Sequence, residues 1–141
     1  LQLLAPRIRS EGVAVVCQVP PQAWVSGDAI RLEQVLINLL TNALDAMWNV
    51  EAKALRILCQ PEGDGWTLSV ADSGGGIAEE HLDQVFEPFF TTKPVGQGLG
   101  LGLAVSYGIV RDLGGSLSVH NDAQGAVFEL HMPAAESPGA E

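Results

Sequence analysis

The hydrophobic residues of this chain recur with two periods, which divide it into strands and helices. Alternation of apolar residues, many of them β-branched, predicts five strands, over residues 13–19, 54–60, 65–72, 116–121 and 126–132. A period near 3.6 predicts three helices, over residues 26–49, 78–86 and 101–115. Ser26 or Asp28 is placed to cap the long helix, and Gly114 or Gly115 to end the last one. This order predicts an α+β fold, a two-layer α/β sandwich in which helices cover one face of a mixed, mostly antiparallel sheet.

The long helix carries three polar residues within its apolar pattern, here called the polar stripe: Asn38, Asn42 and Asp45. Their spacings of four and three place them on one side of the helix. One interpretation is an exposed polar face. The other is that amide oxygens face a hard cation such as magnesium, which prefers oxygen ligands and often shares substrate phosphates. The helical pattern alone leaves both open.

The strand over residues 65–72 ends on a carboxylate. Trp66, Leu68 and Val70 alternate on one face, and Asp72 is the next residue on that face. Asp72 before glycine is typical of a side-chain-bonded turn. It is equally suited to accept a hydrogen bond from a buried ligand N–H, with Gly74 and Gly76 letting the backbone approach a flat ligand.

Four glycines, at positions 96, 98, 100 and 102, alternate directly before the last predicted helix. Glycine loses the most backbone freedom on ordering, so this glycine run needs a functional reason. Two phosphate-binding motifs are excluded, because neither "GxxxxGK[ST]" nor a complete "GxGxxG" occurs in the chain.

Composition narrows the function classes. The net charge of −10 argues against a nucleic-acid partner, which needs a basic surface. No apolar run approaches the roughly 18 residues of a membrane span. Cys17 and Cys59 fall in step with apolar strand residues, and we expect both to be buried. Because the first residue is Leu1, we expect a piece of a longer protein, and we expect residues 134–141 to form a disordered tail.

Four segments carry a resemblance to a known family: "NLLTNALDAM" (38–47), "DSGGGI" (72–77), "FEPFFTTK" (86–93) and "GLGLGLAVS" (98–106). In this order they resemble the N, G1, F and G2 boxes of the ATP-binding catalytic domain of sensor histidine kinases. That domain has the Bergerat fold, which DNA gyrase and mismatch-repair ATPases share. The resemblance covers about residues 10–133 and is greatest to nitrogen-regulatory and four-carbon-dicarboxylate sensor kinases. It implies a catalytic domain over residues 1–133 that binds ATP and Mg²⁺, with a flexible lid over about 87–100.

The resemblance implies a role for each matching residue. Asn42 would hold the magnesium, with Asn38 beside it as a second ligand or on a phosphate. Asp72 would accept a hydrogen bond from the adenine amino group, and Gly74 and Gly76 would line the adenine and ribose. The other residues expected at the nucleotide are Asp45, Ile77, Phe89, Thr91, Thr92, Lys93, Gly98, Leu99, Gly100, Leu101 and Gly102.

The resemblance also accounts for the glycine run. Gly98, Gly100 and Gly102 would clear side chains from an anion site at a helix N-terminus and serve as hinges of the lid. Thr91, Thr92 and Lys93 would lie in the lid near the phosphates. Phe89, like Phe90, is either an apolar lid residue or a core residue. Many relatives carry threonine where this chain has Ala126, so no polar side-chain contact is expected from the last strand.

The residue at position 38 bears on whether the domain hydrolyses ATP or transfers its phosphoryl group. Gyrase-type relatives carry a glutamate four residues before the metal asparagine, where this chain has Asn38. An amide is not a general base, so the resemblance favours phosphoryl transfer to a histidine over ATP hydrolysis. His81, His120 and His131 all lie outside the family's phosphoacceptor pattern. We therefore expect no catalytic residue here, and an acceptor histidine upstream of Leu1.

The implied partners are the dimerisation and phosphoacceptor domain of the same kinase and the receiver domain of a response regulator. We expect this domain to be cytoplasmic without membrane contact, and the longer protein to be an inner-membrane homodimer. Two alternatives are a gyrase-type ATPase clamp and a module that binds nucleotide for regulation only.

Overall fold

The computed structural model describes residues 5–18, 29–47, 50–63, 65–87 and 102–133. In chain order, these form α1 (Ala5–Glu11), β1 (Ala14–Gln18), α2 (Ala29–Ala46), β2 (Ala54–Glu62), β3 (Gly65–Asp72), a 3-10 turn (Glu79–His81), α3 (Gly102–Asp112), β4 (Ser116–Asn121) and β5 (Ala126–Pro133). None of the helices among the described residues is long and apolar enough to span a membrane.

The strands form one five-stranded sheet in the order β1-β2-β3-β5-β4. β1 runs parallel to β2, and all other pairs are antiparallel, which confirms the predicted mixed, mostly antiparallel sheet. The register aligns Ile57, Val70, Phe128 and Val119 across four strands on one face. Because side chains alternate, the neighbouring positions form a second face, which is rich in polar residues.

Helices α2 and α3 cover the apolar face and make the core. The buried residues of α2 recur at helical spacing and are Val35, Leu39, Leu40, Ala43 and Leu44, and the buried Met47 follows directly after the helix. They pack in one cluster with Val110 of α3 and with Leu55, Val70 and Phe128 of the sheet. The two-layer α+β architecture predicted from the sequence is therefore confirmed.

Helix α3 begins at Gly102 and ends at Asp112. Gly114 adopts φ of 87°, and the N–H of Gly115 donates to the carbonyl of Val110 at 2.9 Å. These two features form a left-handed helix ending, as the sequence predicts at this pair of glycines.

Three local predictions need correction. The helix predicted over 78–86 is a single 3-10 turn followed by further turns, in which His81, Leu82 and Gln84 each donate to the residue three before them. β2 continues two residues beyond its predicted end, through Pro61, where β1 no longer flanks it and no donor is needed. Helix α1 was not predicted, although a proline in its first turn and Gly12 after its last residue are boundary signals.

The prediction that both cysteines are buried was wrong. Cys17 is exposed and Cys59 is half-buried. The register places Cys17 beside Ile57, so the alternation correctly predicts its face. However, β1 is an edge strand with one neighbour, and its side chains, such as Val15 with 38% exposure, pack against fewer groups than those of inner strands.

Candidate nucleotide-binding site

Asp72, the last residue of β3, is a buried carboxylate with one unpaired oxygen. Its exposure is 2%. Oδ1 accepts hydrogen bonds from the N–H of Gly74 at 2.8 Å and of Ala126 at 3.5 Å, and the first of these forms the expected turn. Oδ2 is buried and has no hydrogen-bond partner among the described residues. Since an unsatisfied buried acceptor costs about 1–3 kcal/mol, Oδ2 is suited to accept an N–H from a ligand.

Burial makes the ionised form of Asp72 less favourable than it is in water. Burial raises the pKa of its carboxyl above the ordinary value, and the hydrogen bonds from Gly74 and Ala126 oppose that shift only in part. A perturbed carboxyl at a strand end beside a glycine loop is typical of functional sites.

The residues after Asp72 form the G1 loop, defined here as residues 73–77, and its glycines allow close backbone contacts. A Cβ on Gly74 would lie 2.5 Å from the carbonyl oxygen of Ala46, at the end of α2. Gly76 has φ of 90°, which side chains rarely adopt. Both glycines are therefore required by the shape of the loop, and the loop lies against the C-terminal end of α2.

Ser73 fastens the start of the G1 loop to the neighbouring elements. Its Oγ accepts from the N–H of Ala54 at 2.9 Å and lies 2.9 Å from the carbonyl oxygen of Ala52, to which it donates. Its backbone N–H lies 3.4 Å from the sulfur of Met47. The loop is thus fixed to β2 and to the residue that follows α2, which holds Asp72 in place.

Asn38 of the polar stripe links α2 to α3. Its Nδ2 donates to the carbonyl of Gly102 at 3.2 Å and to Ser106 Oγ at 3.1 Å, while its Oδ1 accepts from Gln34 at 3.0 Å. The predicted site residue Gly102 is therefore brought to the stripe. The nitrogen of Asn38 faces α3, and its oxygen retains one further lone pair for a ligand.

Asn42 lies between the two contacts that α2 makes at the site. Asn38, four residues before it, contacts the start of α3, and Ala46, four residues after it, contacts Gly74. Each interval is about 6 Å along the helix axis. Asn42 is half-buried, and its side chain makes no hydrogen bond within the described part of the chain. Its amide is therefore available to a ligand between the G1 loop and α3.

Asp45 is already paired. Its Oδ1 lies 2.7 Å from Nη2 of Arg7, whose Nε contacts Glu11 at 2.6 Å. Sequence reasoning missed Arg7 because it missed α1. The structure thus places Asp45 beside Asn42 on the stripe, but as the partner of a guanidinium that neutralises its charge.

Two further residues at the site were not predicted. A Cβ on Gly125 would lie 2.6 Å from Asp72 Oδ1, so only glycine fits the turn between β4 and β5. Asn121 bonds to both backbone groups of the half-buried Ile77, at 2.8 and 2.7 Å. The glycine preceding Ala126 was the available sequence signal for this turn.

Eight of the predicted site residues lie outside the described part, and a ninth lies at its edge. Gly102 begins α3 and is described. The predicted lid and the remainder of the glycine run fall on residues that the structure does not describe: Phe89, Thr91, Thr92, Lys93, Gly98, Leu99, Gly100 and Leu101. Their roles stay predictions.

The histidines of the sheet lie away from Asp72. Alternation from Val70 and Phe128 places His120 and His131 on the polar face of the sheet, opposite the face that carries Asp72. His120 lies 3.1 Å from Glu129, and His131 lies 3.2 Å from Thr67 Oγ1. Neither imidazole is therefore positioned to react with a ligand bound at Asp72.

Comparison with known proteins identifies the family. The family model described as histidine kinase-, DNA gyrase B- and HSP90-like ATPase matches residues 27–136. The two-component sensor PprA of Pseudomonas aeruginosa is 45% identical over 96% of this chain, which spans 15% of PprA. The C4-dicarboxylate transport sensor DctB of Rhizobium meliloti is 42% identical over 94% of this chain, which spans 21% of DctB. The chain belongs to this ATPase family, and its curated relatives are sensor histidine kinases.

Solved structures agree with this assignment. The catalytic domain of histidine kinase ThkA superposes with a TM-score of 0.83 at 34% identity, covering 94% of this chain and 86% of that domain. ThkA bound to the response regulator TrrA gives 0.79 at 30% identity, with 99% and 39% covered. Full-length ShkA in complex with AMPPNP gives 0.81 at 30% identity, with 97% and 29% covered. The fold is that of a histidine kinase catalytic domain.

Asp72→Asn should change the pH dependence of stability and weaken nucleotide binding. Because the folded state raises the pKa of Asp72, the stability that this carboxyl contributes falls as pH rises from about 4 through the raised pKa. The variant lacks this fall. The free energy of unfolding of the variant minus that of the wild type should therefore increase between pH 4 and pH 7. Its ATP affinity should drop about tenfold, and its preference for ATP over GTP should shrink.

Urea unfolding at both pH values and calorimetry with ATP and GTP test this, with the exposed Asp83→Asn as the matched control. A difference in unfolding free energy that does not change with pH, or an unchanged ATP affinity, would contradict the assignment of Asp72.

Proposed function

We propose that this domain binds Mg-ATP and donates the γ-phosphoryl group to a histidine on a separate dimerisation domain of the same protein. The observation that carries the proposal is the buried Oδ2 of Asp72 beside the G1 loop, which has no hydrogen-bond partner within the described ranges. The curated relatives, named as a two-component sensor and a C4-dicarboxylate transport sensor protein, support it. The chain spans about a fifth or less of these relatives, so the activity of the longer protein forms part of the proposal.

Asp72 would select adenine. Its ionised Oδ2 accepts the amino hydrogen of adenine, whereas the carbonyl of guanine at the same position would place one acceptor against another. Gly74 and Gly76 keep side chains away from the base. ShkA was solved with the ATP analogue AMPPNP, which supports a nucleoside triphosphate as the ligand of this fold.

The polar stripe would serve the metal end of the nucleotide. No three His, Cys, Asp or Glu residues are grouped for metal binding within the described ranges. Asn42, with a free amide, fits a magnesium ion that keeps several waters and takes the rest of its ligands from phosphates. Asn38 fits as a neighbouring ligand or phosphate contact. When bound, magnesium supplies charge neutralisation at the transferred phosphoryl group.

The lid would complete the site. We infer that Thr91, Thr92 and Lys93 contact the phosphates, that Gly98 and Gly100 bring backbone N–H groups to them, and that Leu99, Leu101 and Phe89 line the lid. The start of α3 at Gly102 supports this inference, because a helix N-terminus favours anions.

The chemistry would be transfer and not hydrolysis. A histidine nitrogen attacks the γ-phosphorus, the bond to the bridging oxygen breaks, and ADP leaves with that electron pair. Hydrolysis would need a base to activate water, and Asn38 supplies an amide that is already bonded to Gln34 and Ser106. His120 and His131 lie on the other face of the sheet, which supports an acceptor histidine from another domain.

Two alternatives belong to the same fold. A gyrase-type clamp would hydrolyse ATP at a steady rate, and a regulatory module would bind it without reaction. The amide at position 38 speaks against the first. A steady-state ATPase measurement and a transfer assay distinguish all three.

The proposed partners follow from the relatives. ThkA was solved with the response regulator TrrA, which supports a receiver domain as the downstream partner. We propose that this domain works in the cytoplasm as part of a membrane-anchored homodimer.

Adding the histidine-bearing domain of the protein in trans should produce acid-labile, base-stable phosphohistidine on that domain from labelled ATP. The catalytic domain alone should bind Mg-ATP, hydrolyse it close to the background rate and remain unlabelled. The same acceptor with its histidine replaced by glutamine is the control. Rapid hydrolysis by the domain alone, or label on His81, His120 or His131, would contradict the proposed reaction.

Asn42→Ala should remove the magnesium dependence of ATP binding, because the variant loses the amide oxygen proposed to hold the ion. Calorimetry with ATP in the presence of magnesium and of EDTA should show a large affinity ratio in the wild type and a ratio near one in the variant. Glu33→Gln, at an exposed position of the same helix, should behave as wild type. An unchanged ratio in Asn42→Ala would make Asn42 a structural residue.

A further inference from the structure

We propose that Asn121 is a positioning residue of the nucleotide site, which holds the G1 loop in its binding shape before the ligand arrives. Asn121 is the last residue of β4 and is exposed. Its Oδ1 accepts the N–H of Ile77 at 2.8 Å, and its Nδ2 donates to the carbonyl of Ile77 at 2.7 Å. This inference rests on the proposed function, since it assigns a role within the same site.

The two bonds imitate the pairing of a neighbouring strand. In an antiparallel sheet one residue exchanges both its N–H and its C=O with an opposite residue, and here the Asn121 amide provides both partners from its side chain. Ile77 is thereby fixed at both backbone groups, and this pair of hydrogen bonds is called the Asn121 clamp. A shorter side chain, or one with only an acceptor, would satisfy at most one of them.

Asn121 belongs to the same hairpin, β4–β5, that contacts Asp72. It pairs across the hairpin with Ala126, whose N–H contacts Asp72 Oδ1. The carbonyl of Gln124 in the turn accepts the N–H of Gly75 at 3.1 Å. The G1 loop is therefore held by Asp72 at its start, by Gln124 in its middle and by Asn121 at its end.

The turn that carries these contacts is itself braced. Asp122 Oδ1 accepts from the N–H of Gln124 at 2.8 Å and of Gly125 at 2.9 Å. Its Oδ2 lies 2.7 Å from Arg56. The hydrogen bond from Arg56 and those from the turn lower the pKa of Asp122 to about 2, so its charge persists at neutral pH. Asn121 thus extends from a hairpin with a fixed shape.

Gly76 is matched to Asn121. Its φ of 90° turns the chain toward Asn121, and a Cβ there would lie 2.8 Å from Asn121 Oδ1. The glycine therefore permits the close approach that the clamp requires. A loop that is fixed before binding loses less conformational entropy when the ligand binds. This raises the affinity without any contact between Asn121 and the ligand.

This role predicts a specific pattern of losses. The clamp acts on the end of the pocket assigned to adenine, while the magnesium dependence arises at Asn42 on α2. Loss of the clamp should therefore weaken binding with and without magnesium by the same factor. A residue that only supports the fold would change the unfolding midpoint and leave nucleotide affinity as it is.

Asn121→Ala tests the inference, with Gln124→Ala as the matched control, because Gln124 contributes only its backbone to the same loop. Calorimetry should show a Kd for ATP about tenfold higher in Asn121→Ala, both with magnesium and with EDTA, and within about twofold of wild type in the control. Hydrogen exchange of the Ile77 amide should be faster in the nucleotide-free variant and slow again at saturating ATP.

Asn121→Asp provides a second variant of nearly the same size. It keeps an acceptor for the Ile77 N–H and places a carboxylate oxygen against the Ile77 carbonyl, so a similar loss of affinity is expected. If both variants bind ATP as tightly as the wild type, or if hydrogen exchange of the Ile77 amide is unchanged in them, this inference is wrong while the proposed function stands. A magnesium-dependent loss would also overturn it. Failure of the wild-type domain to bind ATP would contradict the proposed function and this inference with it.

Discussion

The proposed site depends on one unfavourable feature, the burial of the Asp72 carboxylate. A buried charge destabilises a fold unless it is paired. Here one oxygen is paired with backbone N–H groups, while the other has no partner among the residues that the structure describes. The surrounding structure keeps it in place. Ser73, the next residue, bonds to Ala54 at the start of β2. Gly74 packs on the end of α2, and Gly125 leaves room for the carboxylate. A domain that maintains such a group without a partner is prepared for a ligand that supplies one.

The two ends of the proposed site are joined through α2. Asn38 contacts the start of α3, and Ala46 contacts the G1 loop. The amide of Asn42 between them makes no hydrogen bond to the described residues, so successive turns of one helix meet the three parts of the proposed site. Because this helix also provides much of the core, the distance between the adenine end and the metal end is set by the rigid layer of the fold. Placing a site on such elements is what allows phosphoryl transfer by positioning.

Positions that follow from local periodicity could be predicted from the sequence. Period two places Asp72 on the apolar face of β3, and spacings of four place Asn38 and Asn42 on one side of α2, and the structure confirms both placements. Contacts between distant segments could not be predicted in this way. Arg7 meets Asp45 across 38 positions, and Asn121 meets Ile77 across 44, and neither pair lies within one helix or strand. The exposure of Cys17 was missed for the same reason, since alternation predicts a face but not what covers it.

The most direct test of the account compares ATP with an analogue that lacks the 6-amino group of the base, purine riboside triphosphate, on the wild type and on Asp72→Ala. If Asp72 Oδ2 receives that amino group, its removal should weaken binding to the wild type about tenfold and barely affect binding to the variant. Equal affinities of the wild type for both nucleotides, or the same loss in both proteins, would contradict the role of Asp72 on which the proposed site is built.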